Sequence, residues 1–160
     1  KDGDDTLHGD SGPDTLEGEN GDDILDGGLG ADQLNGGDGS GDNAWYGNRT
    51  QQVIVFLGDG ANDGQLNEHD FVQNTVENIT GGFGNDILSG DNQANRIDGL
   101  GGNDTITGGG GADLLMGTVG NDTFYSNGDN AIDQIFGGTG TDKVRADAID
   151  QLSQVETLLP

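Results

Sequence analysis

Four aspartates stand nine residues apart near the start of the chain, Asp5, Asp14, Asp23 and Asp32, and two positions after each comes a leucine, Leu7, Leu16, Leu25 or Leu34. Carboxylates in such a series could work in pairs as general acids and bases, or act together as hard oxygen ligands for cations. The rest of the sequence offers little to the first chemistry. Only His8 and His69 could assist, and neither belongs to an HExxH or has a histidine partner nearby. His8 falls in the outward slot of a short strand and His69 in an acidic loop, where each reads as a solvated or locally bonded side chain. The glycine-rich runs lack the Lys-Ser/Thr ending of a phosphate loop. No catalytic or organic cofactor-binding residue emerges, and the chain reads as a non-enzyme.

The same frame returns after a gap. Asp86, Asn95, Asp104, Asp113 and Asp122 are followed two positions later by Leu88, Ile97, Ile106, Leu115 and Phe124, and the series closes with Asp133/Ile135 and Asp142/Val144. Glycines precede each acid in step. Composition explains why a series of ligands could matter more here than a core. Of 160 residues 33 are glycine and only 29% are hydrophobic, while each ordered residue costs about 1–2 kcal/mol of backbone entropy. Thirty acidic residues against five basic ones give a net charge of -25, which disfavours nucleic acid and anionic membranes and favours cations. Cysteine is absent, so disulfides and thiolate sites are excluded. No apolar run approaches the ~18 residues of a membrane span. The chain opens at Lys1 without Met or an apolar export segment and reads as a piece cut from something longer.

The consensus, Gly-Gly-x-Gly-x-Asp-x-hydrophobic-x, resembles the RTX, or hemolysin-type calcium-binding, repeats of secreted bacterial proteins, over residues 1–42 and 77–145. The resemblance implies an all-β fold, a right-handed parallel β-roll (β-solenoid), calcium as the bound ion and a secreted or cell-surface location. It also implies type I secretion, in which a chain exported unfolded condenses on external calcium.

The elements that would position the ligands follow from the spacing. Six glycine-rich residues make a tight turn and three residues of the form x-hydrophobic-x a very short strand, so two nonapeptides close one coil with a parallel sheet on either side. Stacked coils lie about 4.8 Å apart, where two carboxylates repel by about 3.5 kcal/mol at an effective dielectric near 20. A calcium ion accepts six to eight oxygens and turns that repulsion into a bridge, whereas magnesium insists on octahedral geometry. The pairs in phase are Asp5/Asp23, Asp23/Asp42, Asp14/Asp32, Asp86/Asp104, Asp104/Asp122, Asp122/Asp142, Asn95/Asp113 and Asp113/Asp133. One ion per pair gives about eight ions and a charge of about -9. Backbone carbonyls of Gly9, Gly12, Gly18, Gly21, Gly28, Gly30, Gly82, Gly84, Gly99, Gly102, Gly109, Gly111, Gly117, Gly120, Gly138 and Gly140 are the expected co-ligands. Asn95 is neutral and Gln93 replaces a turn glycine, while Asp42 and Asp133 follow insertions. The hydrophobic residue of each unit should point inward as a narrow ladder, and folding and ion binding should be one event.

Residues 43–80 break the rhythm with "AWY", "VIVFL" and "TVENI". Ile79 lies nine residues before Leu88 and Glu77 nine before Asp86, so this section reads as irregular solenoid turns with Glu77 in the ligand slot, and "QVETLL" near the end repeats the device. The organisation expected is a first repeat block at 1–42, irregular turns at 43–80, a second block at 81–145 and a capping strand or turn at 146–160. Within the interruption, "DGANDGQLNEHD" partly matches an EF-hand loop, but position 3 is Ala61 and the bidentate Glu at position 12 is missing. It is open to three readings: an EF-hand, a looser calcium site using Asp59, Asp63, Glu68 or Asp70, or an acidic surface loop. A second functional class is an adhesin, surface-layer or carbohydrate-binding module using Arg96, Lys143 and Arg145 or Trp45 against a carbohydrate or cell-surface partner. A third makes the chain the appended domain of a secreted protease, lipase, epimerase or toxin.

Overall fold

An x-hydrophobic-x strand of three residues has too few backbone bonds to persist alone, and each one finds its partner one coil further along the chain. The computed structural model describes residues 2–58, 60, 62–126 and 128–159. One side of the solenoid is an eight-stranded sheet, in spatial order β1 (Thr6–His8), β3 (Ile24–Asp26), β5 (Asn43–Trp45), β9 (Asn78–Thr80), β11 (Arg96–Asp98), β13 (Leu114–Val119), β15 (Gln134–Thr139) and β17 (Gln151–Ser153). The other side is divided. Three strands, β2 (Thr15–Asn20), β4 (Gln33–Asp38) and β8 (Phe71–Val72), form one sheet, and β18 (Thr157–Leu158), β16 (Lys143–Ala146), β14 (Thr123–Ser126), β12 (Thr105–Thr107), β10 (Ile87–Ser89), β6 (Val53–Phe56) and β7 (Gly64–Gln65) form another. Among the described residues there is no helix, and all paired strands are parallel except β6 and β7.

The register reproduces the sequence period. Thr6 pairs with Ile24, Ile87 with Thr105 and Arg96 with Leu114, so one coil is two nonapeptides. The inward ladder follows: Leu25, Leu34, Leu88, Ile97, Ile106, Leu115, Phe124, Ile135 and Val144 are wholly buried, while Leu7 in the first coil is only partly covered. The fold is therefore a parallel β-solenoid of about eight turns, as the repeat predicts.

The interruption is an overgrown part of the same solenoid. Ile79 takes its place in the inward ladder between Ala44 and Ile97. Partners that are 18 to 20 residues apart within the repeat blocks are 35 apart at Asp42 and Glu77 and 33 apart at Val53 and Asp86. The extra residues split the second side into its two sheets. Asp63 staples that seam: its Oδ1 accepts the N–H of Phe56 in β6 at 2.9 Å and its Oδ2 the N–H of Val72 in β8 at 3.0 Å.

Candidate metal centre

The acid of each repeat stands immediately before a strand, at the corner where the chain leaves a glycine turn. Its backbone N–H donates to one carboxylate oxygen of the acid one coil later. Asp5 bonds Asp23 at 2.7 Å, Asp23 bonds Asp42 at 2.7 Å and Asp14 bonds Asp32 at 2.8 Å. In the second block Asp86 bonds Asp104, Asp104 bonds Asp122, Asp122 bonds Asp142 and Asp113 bonds Asp133, each at 2.8 Å, and Asn95 bonds Asp113 at 2.9 Å. All eight pairs that the period places in phase are brought together. The column also runs further, from Asp42 to Glu77, from Asp133 to Asp150 and from Asp142 to Glu156. Asp150 and Glu156 were outside the sequence candidates; the echo of "TVENI" in "QVETLL" was the signal that pointed to Glu156.

Oδ1 is satisfied by this ladder, and Oδ2 is not. In Asp14, Asp23, Asp32, Asp42, Asp104, Asp113, Asp122, Asp133 and Asp142 the second oxygen is buried without a hydrogen-bond partner. Leaving a buried polar oxygen unpaired costs free energy, and a charged one costs more. All of these oxygens except that of Asp133 aim at the first glycine of their unit. At Gly18 the position a Cβ would take is already crowded by Asp23 Oδ2 and the Gly36 carbonyl; at Gly117 it is crowded by Asp122 Oδ2 and the Gly137 carbonyl; at Gly90 by Asn95 Oδ1 and the Gly108 carbonyl. The corners at Gly18 and Gly117 thus gather an anionic oxygen and a neutral carbonyl oxygen of the next coil, and the one at Gly90 an amide oxygen and a carbonyl, in places where no side chain can intrude. That donor set suits a hard divalent cation of flexible coordination. Among the described residues no three His, Asp or Glu side chains converge on one point, so a corner offers single carboxylates with carbonyls rather than a carboxylate cage. The converging carbonyls of Gly36, Gly108 and Gly137 belong to first-slot glycines, one residue before or beside those the repeat singles out, such as Gly109 and Gly138.

Electrostatics carry the same mark. Burial first, and neighbouring carboxylates after it, push the carboxyl of Asp104 up to about 8, that of Asp113 up to about 7 and that of Asp122 up to about 6. Asp32, Asp42, Glu77 and Asp133 are raised for the same leading reason. An ordinary unfolded aspartate titrates near ~3.9, so the folded state binds these protons more tightly. The stability they contribute to the metal-free roll is fully present below about pH 4 and is lost as pH rises through 6 to 8. Acidification from pH 8 to pH 4 in chelator is therefore expected to increase β structure by circular dichroism. In calcium the sign reverses, because protons compete with the ion and the calcium midpoint should rise as pH falls. Equal slopes in both conditions would contradict the assignment of these oxygens to cations.

The remaining candidates lie differently. Asp86 has both oxygens occupied, by the N–H groups of Val53 and Gly82. The segment that partly matched an EF-hand is a short hairpin built on β6 and β7, not a loop between helices. In it Asp63 serves the seam, Asp70 accepts from the N–H of Asp32 at 3.0 Å and the hydroxyl of Tyr46 at 3.1 Å, and Glu68 accepts from the N–H of Gln65. Asp59 and Ala61 lie outside the described residues. The basic residues considered for a binding face are not gathered: Arg96 is on β11 of the eight-stranded sheet, paired with Asp98 at 3.7 Å, while Lys143 and Arg145 are on β16 of the seven-stranded sheet.

Fold and corners together define a parallel β-solenoid whose coils meet through columns of half-satisfied carboxylates. The RTX calcium-binding nonapeptide repeat model matches residues 1–34, 8–42, 74–106, 89–124 and 127–148, more than half of the chain. The chain belongs to the RTX calcium-binding nonapeptide repeat family. It is a calcium-binding repeat module of a kind typical of secreted bacterial proteins. The matches leave out 43–73, the section in which the second side of the solenoid divides. A comparison with curated proteins finds no match. Among the described residues no helix is long and apolar enough to cross a membrane.

Proposed function

We propose that this chain is a calcium-dependent folding module of an exported protein, with the ions held at the corners between acids of successive coils. The observation that carries the reading is the column of buried, unpartnered Oδ2 atoms, of which those of Asp14, Asp23 and Asp122 crowd the same point as the carbonyls of Gly27, Gly36 and Gly137 one coil later. Asp5, Asp14, Asp23, Asp32, Asp42, Asp104, Asp113, Asp122, Asp133 and Asp142 would supply carboxylate ligands, Asn95 a neutral oxygen, and the turn glycines their carbonyls. The ion supplies two positive charges between like-charged corners. Where calcium is scarce, as inside a cell, those corners repel and the chain stays open for export; where it is abundant, the coils close.

Asp104 belongs to two in-phase pairs, so Asp104→Ala should bind about two fewer ions than the roughly eight expected for the parent chain. Asp98, whose Oδ1 already accepts from the Leu100 N–H and the Thr118 hydroxyl, should be replaceable by alanine without loss of an ion. Native mass spectrometry in calcium counts both. An Asp104→Ala protein that stays folded with the parental number of ions would refute the corner assignment.

A further inference from the structure

On one side of the roll the column of unpartnered oxygens is broken where the irregular section enters. Along the side that carries Asp14 and Asp32, the next acid is Asp70, whose Oδ2 is taken by the Tyr46 hydroxyl. The corner at the start of β6 has Val53 in the acid slot, opposite Asp86, and Asp86 is itself saturated by backbone donors. At this seam the protein buries Arg49, which is 7% exposed. Its backbone is pinned by the carbonyl of Tyr46 and the N–H of Phe83. Its Nη2 donates to the Gly28 carbonyl and stands 3.5 Å from Asp26 Oδ1, and its Nε stands 3.9 Å from Glu68 Oε1. Nε and Glu68 Oε1 are both buried without a hydrogen-bond partner, and the guanidinium carbon lies 5.7 Å from the centre of the Tyr46 ring.

An ordinary ion pair joins one cation to one anion. Arg49 instead faces a carboxylate and a turn carbonyl from one corner and a carboxylate from the hairpin, which is the kind of oxygen set that the regular corners present. Asp32 Oδ2 lies in the same turn as Gly28, buried and unpartnered. We infer that the Arg49 guanidinium takes the place of one bridging ion, so that this junction closes without metal, and that removing it opens a divalent-cation site lined by Asp26 Oδ1, the Gly28 carbonyl, Asp32 Oδ2 and Glu68 Oε1. Four hard oxygens with water in the vacated volume reach the six to eight that calcium accepts. A covalently tethered cation is always present, so the seam holds its two corners together at calcium levels that leave the regular corners open. The inference rests on the calcium reading of those corners.

Ion counting by native mass spectrometry in millimolar calcium tests it on the whole chain. Arg49→Ala is expected to bind one ion more than the parent, and its melting temperature should depend more steeply on calcium. Arg96→Ala, at a side chain 53% exposed, should match the parent in both. A folded Arg49→Ala protein with an unchanged ion count overturns the inference. So does failure of both Arg49→Ala and Arg49→Gln to fold in saturating calcium, since an ion is then unable to replace the guanidinium. A parent chain that binds no calcium would instead bring down the reading of the regular corners, a separate result visible in the same spectra.

Discussion

Gly120→Val is expected to destabilise the C-terminal coils sharply even in millimolar calcium. Gly120 has a φ of 146°, and the point its Cβ would occupy is filled by the Gly102 carbonyl of the coil before it. The obstacle is backbone, which cannot swing aside as a side chain would. A β-branched residue forced into this conformation costs about 1–3 kcal/mol, and overpacking a close contact adds about 1–3 kcal/mol. Domain stabilities are only about 5–15 kcal/mol, so the sum is a large share. For a chain of this size it corresponds to a fall in melting temperature of about 10 °C or more. Gly110→Ala provides the comparison: its Cβ would meet Asn92 Oδ1 at 3.3 Å and its φ is not in the left-handed range, so melting should barely change. Thermal melts followed by circular dichroism in calcium decide the matter, and a Gly120→Val protein melting within about 2 °C of the parent would contradict the stacking described.

Most of the solenoid was legible in the sequence because covalent period and spatial period are the same thing in such a fold. Nine residues make half a coil, so Leu25 must lie beside Leu7, and Asp23 beside Asp5, wherever the period holds. Even Glu77, inside the irregular section, fell into its slot on phase alone. The two Val-Glu strands show where phase stops informing. They are alike in sequence, yet Asn78–Thr80 enters the eight-stranded sheet and Thr157–Leu158 the seven-stranded one, because a different number of half-coils precedes each. Local pattern does not count half-coils.

The seam was not legible for a different reason. Tyr46 reaches Asp70, Arg49 reaches Gly28, and Asp63 joins β6 to β8 through contacts that belong to one place and recur nowhere else. Asp63 looked like a ligand because aspartate at an EF-hand position invites that reading. Its two oxygens are instead consumed by backbone donors of two strands that had to be joined. Residue type announced the capacity to accept, and only the split of the second side determined what would donate.

Calcium removal should produce the largest change of all. Neighbouring corners bring carboxylates together in a chain of net charge -25 whose apolar core is one residue wide per half-coil. Each pair of ionised carboxylates one interstrand spacing apart repels by about 3.5 kcal/mol at an effective dielectric near 20. Eight such pairs would exceed the stability of an ordinary domain, so without a counterion the columns must protonate or part. Near neutral pH in low salt they should part, leaving at most the seam around Arg49 and Asp63 associated.

Small-angle scattering on the intact chain at neutral pH, recorded in millimolar calcium and again after excess chelator, measures this directly. The radius of gyration should expand from a compact value near ~15 Å, somewhat larger for an elongated roll, toward the ~42 Å of an unfolded chain, and should return when calcium is restored. A chelated chain that keeps the compact radius would contradict the claim that cations between coils hold this protein together.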